Sequence, residues 1–196
     1  NRNVIFKEGV GPLLDPMCDP GDIDLKCLEE LDNKLNPVAN SIKLTKKLLP
    51  KKTALIGFAG APWTLITYMA EGKSSRDFIK ARLWAWQDQK KLEQLLEIIV
   101  HATVSFLCLQ AKAGADCLML FDTWAGAVPA CQRDWLVVKP TRAIVRGIRK
   151  NGHKQPIIGF PKGVGDGLIQ FANESGVNAV GLDHGVDPVW AGKNLP

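Results

Sequence analysis

Four short apolar runs punctuate the chain: TALIGF at 53–58, DCLMLF at 116–121, QPIIGF at 155–160 and NAVGLD at 178–183. None of them alternates polar with apolar residues. Strands of that kind are expected to be buried on both faces, the condition of a parallel sheet covered by helices. A segment of helical character precedes each run: NPVANSIKLTKKLL, KKLEQLLEIIVHATVSFLCLQAKAG, KPTRAIVRGIRKNG and DGLIQFANESG. In the second of these, Leu92, Leu95, Leu96, Ile99, Phe106 and Leu107 fall on one stripe at helical spacing, which predicts the face turned to the core. Gly114, Gly152 and Gly176 stand where C-terminal caps belong.

Helix alternating with short parallel strand defines an α/β chain, either an open sheet or a barrel. All four strands are followed by polar or glycine-rich turns, AGAPW, DTWAG, PKGVGDG and DHGVDP. Such repetition at the C-terminal strand ends favours a (β/α)8 TIM barrel, where function gathers at that end. A whole barrel takes roughly 250 residues, whereas this chain has 196 and four helix/strand units. It therefore reads as one partial barrel domain over residues 1–196, with an excursion over 1–38 and the four units over 39–196, cut at both ends. A sheet with unpaired edges is expected to be poorly stable alone.

Composition narrows the partners. No run of about 18 uncharged apolar residues is present, so no membrane partner is expected. The start, NRNVIFKEGVGPLL, has no apolar leader pattern, and Cys18, Cys27, Cys108, Cys117 and Cys131 form no CxxC pair, which together predict reduced thiols in the cytoplasm. The histidines His101, His153 and His184 have no metal-ligand spacing, so no metal site is expected. The net charge of +5 suits an anionic partner. Lys43, Lys46, Lys47, Lys51 and Lys52 read as the solvated C-terminal end of a helix, and no basic stretch is interleaved with aromatics, so nucleic acid is not expected.

Candidate site residues lie at the strand ends. In IGFAGAPWTLITYMAEG, Gly57 and Gly60 permit close approach of either a ligand or a helix, and Pro62 suits a first helical turn. Phe58 lies in the same strand. Tyr68 is the single tyrosine of the chain, and its phenol requires a partner when buried. Asp122, Thr123 and Trp124 follow the second strand, where Asp122 either lines a site or caps the next segment. PKGVGDG lacks the spacing of a phosphate loop, leaving Lys162 as a charge for an anionic ligand, and His184 is the one histidine placed after a strand.

In order and spacing, IGFAGAPWTLITYMAEG, LMLFDTWAG, PIIGFPKGVG and NAVGLD resemble the uroporphyrinogen decarboxylase family of the bacterial type. The resemblance runs along nearly the whole chain, FKEGVGP included. It implies strands 3 to 6 of a (β/α)8 barrel, a cytoplasmic homodimer when full length, and no cofactor or metal. The implied reaction removes carboxyl groups from the four acetate side chains of uroporphyrinogen III to give coproporphyrinogen III on the way to haem. Carried over position by position, the family's substrate-contacting tyrosine falls on Tyr68 and its strand-end serine or threonine on Thr123, each binding substrate carboxylates. Phe58, Gly60, Lys162 and His184 are further candidates. Trp124 stands where some relatives have histidine, and His184 where tryptophan is common. The family's arginine-rich loop, its pyrrole-binding aspartate and its late histidine would fall outside residues 1–196, so no catalytic residue is expected within the chain and the piece alone is expected to be inactive. The alternatives are a zinc- and corrinoid-related methyltransferase of the same superfamily, and a non-catalytic fragment that keeps the scaffold.

Overall fold

The computed structural model of the chain describes residues 4–8, 11–23, 28 and 31–196. An antiparallel hairpin of β1 (Val4–Lys7) and β2 (Gly11–Leu14) comes first, followed by α1 (Leu31–Leu48). There follow β3 (Ile56–Gly60), α2 (Pro62–Glu71), α3 (Ile79–Gln87), α4 (Gln89–Ala113) and β4 (Cys117–Asp122). The chain continues through α5 (Lys139–Lys150), β5 (Ile157–Pro161), α6 (Gly167–Glu174), β6 (Ala179–Val180) and α7 (Pro188–Asn194).

The four apolar runs form one parallel sheet in the order β3-β4-β5-β6. Strand order that follows chain order, with no reversal, is how a barrel wall runs; a doubly wound sheet would reverse at a switch point. The helices cover one face. Gly57 and Ala59, Leu118 and Leu120, and Ile157 and Gly159 turn to that side and are buried. Against them α4 and α5 supply Leu107, Ala111, Ile144, Val145 and Ile148. The two helices approach closely enough that a side chain at Gly147 would meet Val104, with 2.6 Å to its Cγ2.

The opposite face does not match the expectation of strands buried on both sides. Ile56 is 47% and Phe58 60% exposed, and β4 and β5 alternate buried with half-buried residues. A non-alternating apolar run reports that both faces are fit for burial; among the described residues, cover exists for one. Phe58, Phe121 and Phe160 form an edge-to-face row on the open side, with ring centroids 5.8 and 6.0 Å apart.

Helix α4 is long and apolar enough to cross a membrane by length and composition alone. It lies instead in the core, packed on α1, β3 and α5. Leu92, Leu95, Leu96, Ile99 and Leu107 are buried as the stripe predicts, while Phe106 is half-buried, with Thr103 and Gln110 taking buried places on that face. Helix α1 (Leu31–Leu48) includes five residues ahead of the predicted segment and carries Pro37 in its interior. Helix α3 was not foreseen. It follows Phe78, whose φ of 48° is the one positive value outside glycine among the described residues.

Two side chains fasten the sheet's first strand. Lys46, in the last turn of α1, is paired with Asp116, whose Oδ2 also accepts the Leu55 N–H at 2.7 Å. Gln110 reaches from α4 to Phe58, its Oε1 accepting the Phe58 N–H at 2.9 Å and its Nε2 donating to the Phe58 carbonyl at 2.8 Å. Cys18, Cys108, Cys117 and Cys131 are free thiols, and Cys27 lies outside the described residues.

Candidate functional site

The C-terminal ends of β3 to β6 are joined into a rim by hydrogen bonds that run from one loop to the next. The first link ties α2 to the end of β4. Pro62 opens α2 with no N–H to lose, and Ala61, at the N-cap position, offers no side-chain acceptor. The Ala61 N–H donates to the Phe121 carbonyl at 2.8 Å, and the Trp63 indole N–H to the Trp124 carbonyl at 3.1 Å. The Thr64 hydroxyl donates to Asp122 Oδ1 at 2.7 Å and accepts the Trp124 N–H at 3.3 Å. Asp122 is thus neither a cap for the segment after it nor open to solvent; it is buried behind the rim. Its second oxygen, Oδ2, is buried without a hydrogen-bond partner, as is the Trp124 indole nitrogen. Burial pushes the Asp122 carboxyl up to about 7, partly offset by the Thr64 hydroxyl and the Thr64 backbone N–H.

The second link joins the ends of β4 and β5. The Gly126 N–H donates to the Lys162 carbonyl at 2.9 Å, and the Lys162 N–H to the Asp122 carbonyl at 3.1 Å. A side chain at Gly126 would lie 2.6 Å from the Gly163 carbonyl oxygen, so the two loops meet backbone to backbone. In Gly126→Ala neither side can yield as a flexible side chain would, and we expect a loss of about 1–3 kcal/mol in unfolding free energy, read as a lower urea midpoint.

The third link runs from β5 to β6. Asp183 accepts the Gly163 N–H on Oδ2 at 2.6 Å and the Gly185 N–H on Oδ1 at 2.8 Å. These two amides, the Gly163 one foremost, hold its carboxyl below the usual range, with smaller help from His184 and Lys162. Gly163 and Gly165 both adopt positive φ in PKGVGDG, the loop that lacks the spacing of a phosphate-binding turn. The Gly163 amide is already engaged by a carboxylate of the chain itself, so the loop is a structural turn.

Each predicted site residue can now be placed. Thr123 is half-buried at the centre of the first link, between Asp122 and Trp124. Tyr68 is half-buried on α2, which is pinned from behind by the end of β2 and the segment after it: the Leu14 N–H donates to the Gly72 carbonyl and the Met17 N–H to the Met69 carbonyl, both at 2.7 Å. Lys162 and His184 are exposed on the rim, joined through Gly163 and Asp183. Phe58 belongs to the aromatic row on the open face. Gly60 faces Leu65, whose Cδ2 would lie 3.0 Å from an added Cβ, and Gly57 faces Gln110 and Ala115. At both glycines the close approach is made by the protein's own side chains. The structure brings Thr123, Lys162 and His184 onto one linked rim; no hydrogen bond ties Tyr68's side chain to it among the described residues. Sequence reasoning missed Thr64 and Asp183 as the residues that hold the rim. Their signal was position: a hydroxyl in the first helical turn and an acid directly after a strand.

A family model described as uroporphyrinogen decarboxylase (URO-D) matches residues 2–195. The chain belongs to the uroporphyrinogen decarboxylase family. Among the relatives of the family, the uroporphyrinogen decarboxylase of Rhodospirillum rubrum is 41% identical over 194 residues, covering 99% of this chain and 56% of that protein. Those of Maricaulis maris and Rhizorhabdus wittichii are each 40% identical over 195 residues, covering all of this chain and 56% of theirs. The chain thus spans a little over half the length of the curated relatives it matches. Among solved structures, a methyltransferase from Methanosarcina mazei superposes with a TM-score of 0.79 at 13% identity, covering 98% of this chain and 56% of that one. At that identity the likeness shows the fold alone: a partial α/β barrel wall, as the family resemblance implies.

Proposed function

We propose that this chain supplies the carboxylate-binding strand ends of a uroporphyrinogen decarboxylase, the enzyme that converts uroporphyrinogen III to coproporphyrinogen III. The observation that carries this reading is the junction of GFAGAPWTL with FDTWAG. It brings the half-buried Thr123 beside the first turn of α2, where Ala61 makes no side-chain cap bond, no acidic residue belongs to the turn itself, and the buried Asp122 engages Thr64 from behind. Helix N-terminal amides and a hydroxyl are a setting for a carboxylate. Tyr68, two turns along the same helix, adds a phenol, and exposed Lys162 adds charge at the rim.

The chemistry needs little more from these residues than binding and orientation. Once a pyrrole ring is protonated, it accepts the electrons released as an acetate side chain loses carbon dioxide, so no external electron sink is required. The work left to the protein is proton transfer and electrostatic stabilisation. In this reading Tyr68 and Thr123 hold the carboxylates that are not reacting. The groups that move protons, together with the arginine-rich loop, belong to the part of the family's barrel outside residues 1–196. We also expect the full-length enzyme to be cofactor-independent, cytoplasmic and homodimeric, as the family resemblance implies. The zinc-dependent methyltransferase reading is not favoured, since the relatives at about 40% identity are named decarboxylases.

The test uses uroporphyrin III, the oxidised form of the substrate, titrated into the 196-residue chain and followed by porphyrin emission. A hydrogen bond to a charged group contributes about 1.5–3 kcal/mol. Tyr68→Phe and Thr123→Ala are therefore each expected to weaken binding about tenfold or more, and unchanged affinity in both would remove them from the site. The chain alone is expected to form no coproporphyrinogen from uroporphyrinogen III; product formation would show that its own residues suffice for the chemistry.

A further inference from the structure

Resting on the substrate reading above, we propose that Asp122 is a positioning residue: through Thr64 it fixes the Trp124 amide, on the far side of Thr123 from itself, and so sets the carboxylate-binding hydroxyl at the rim. Thr64 Oγ1 has one hydrogen to give and accepts the Trp124 N–H at 3.3 Å. It gives that hydrogen to Asp122 Oδ1 at 2.7 Å. An Asp122 oxygen is thus what orients the Thr64 lone pair toward Trp124. Without an acceptor at Oδ1, the hydroxyl hydrogen is free to turn to other acceptors, and the Trp124 amide loses its aligned partner.

Thr123 lies between the two ends of this relay. On one side, the Asp122 main chain is held by its own carbonyl, which accepts the Lys162 N–H, and by β4 pairing with β5. On the other side, Trp124 is held at its N–H by Thr64, at its carbonyl by the Trp63 indole, and at its ring by Phe78, with centroids 4.9 Å apart. Asp122 itself is almost wholly buried. A buried carboxyl that leaves one oxygen without a partner is costly, and a valine or leucine of similar size would fill such a place better. Its presence is accounted for by what Oδ1 does. Burial also favours the uncharged carboxyl, and the relay needs only an acceptor oxygen at Oδ1, which neutral and ionised forms both supply. No charge is brought to it by Trp63, Thr64 or Thr67 of α2, by Phe121 of β4, or by Phe160 and Pro161 of β5; Lys162, next in the chain, is exposed.

The experiment uses the 196-residue chain and three variants. Asp122→Asn keeps an acceptor oxygen, Asp122→Leu removes it, and Thr64→Val removes the hydroxyl at nearly constant shape. Backbone amide hydrogen exchange at Trp124, by NMR, reads the relay directly. We expect exchange at least tenfold faster in Thr64→Val and Asp122→Leu, and near that of the unmodified chain in Asp122→Asn. Uroporphyrin III affinity is expected to follow the same order, with the double variant Asp122→Leu, Thr123→Ala no weaker than Thr123→Ala alone. Unchanged Trp124 exchange in Thr64→Val overturns the relay, and so does an Asp122→Asn as fast as Asp122→Leu. Binding losses that multiply in the double variant overturn the claim that Asp122 acts through Thr123. Equal uroporphyrin binding by the unmodified chain and Thr123→Ala would instead sink the substrate reading, while the exchange data still decide the relay. Circular dichroism at the assay temperature separates unfolding from loosening; Thr64→Val, the smallest change, decides where Asp122→Leu does not fold.

Discussion

Asp122→Asn should flatten the pH dependence of stability between about pH 4 and pH 7. In the unfolded chain this carboxyl ionises near 3.8, and in the folded chain at about 7, because burial disfavours the charge. Between those values the folded state binds the extra proton, so unfolding free energy falls as pH rises through the window and the loss is complete above 7. At 1.36 kcal/mol per pKa unit, the difference of about three gives roughly 4 kcal/mol as a ceiling. The asparagine cannot ionise and removes the slope, and it should be the more stable chain at pH 8. Asp183 works in the other direction and elsewhere on the scale. Its folded value is depressed, so the stability it adds is present above its unfolded value near 3.8 and is lost as acid is added below that. Urea denaturation at pH 4.5 and pH 8 measures both ends of the window. Parallel curves for Asp122→Asn and the unmodified chain would show that Asp122 is ionised in the fold throughout.

Trp63→Ala should cost about 3–5 kcal/mol, the range for deleting a buried large aromatic side chain. Trp63 is wholly buried among the residues that seat α2 on α4 and on the β4 loop, including Ile66, Leu92 and Leu95. The substitution removes the packing and also the indole N–H that satisfies the Trp124 carbonyl. For a chain of this length a loss of that size lowers the thermal midpoint by roughly 6–20 °C, at about 2–4 °C per kcal/mol. Trp63→Phe separates the two contributions, since it keeps most of the volume and loses the hydrogen bond. A midpoint for Trp63→Ala within about 2 °C of the unmodified chain would show that α2 is not seated as described.

These two residues also mark how far the sequence was legible. The strands, their parallel sense and the strand-end placement of Thr123, Lys162 and His184 followed from apolar runs and turn residues, because those signals are local. Pro62 at the first position of α2 and the left-handed Gly114 were readable for the same reason. What could not be read was pairing between distant side chains. Asp122 with Thr64, 58 positions apart, and Lys46 with Asp116, 70 apart, have no signature in spacing. Gly57 and Gly60 were ambiguous in kind, since a missing side chain reports that something comes close and not what. The neighbours turned out to be Gln110, Ala115 and Leu65. Helix α3 was invisible because its apolar residues lie on no single stripe: Ala81, Trp84 and Ala85 are buried while Ile79, Leu83 and Trp86 are exposed. The roles proposed for Tyr68 and Thr123 rest on the family likeness, not on spacing.

Gln110 carries a consequence for how such a sheet meets other chains. Odd-numbered residues of the first strand and its flanks bond toward β4, as the Leu55 carbonyl with Asp116 N–H and the Ala61 N–H with the Phe121 carbonyl show. The main chain of Phe58 therefore points to the outer side, and there the Gln110 amide occupies both its donor and its acceptor. An incoming strand would have to evict that amide to extend the ladder, while at the far margin β6 offers a template only two residues long. Guarded and shortened margins are how natural sheets resist templated fibre growth. What the sheet leaves open is the edge-to-face row of Phe58, Phe121 and Phe160, with Phe58 the most exposed of the three.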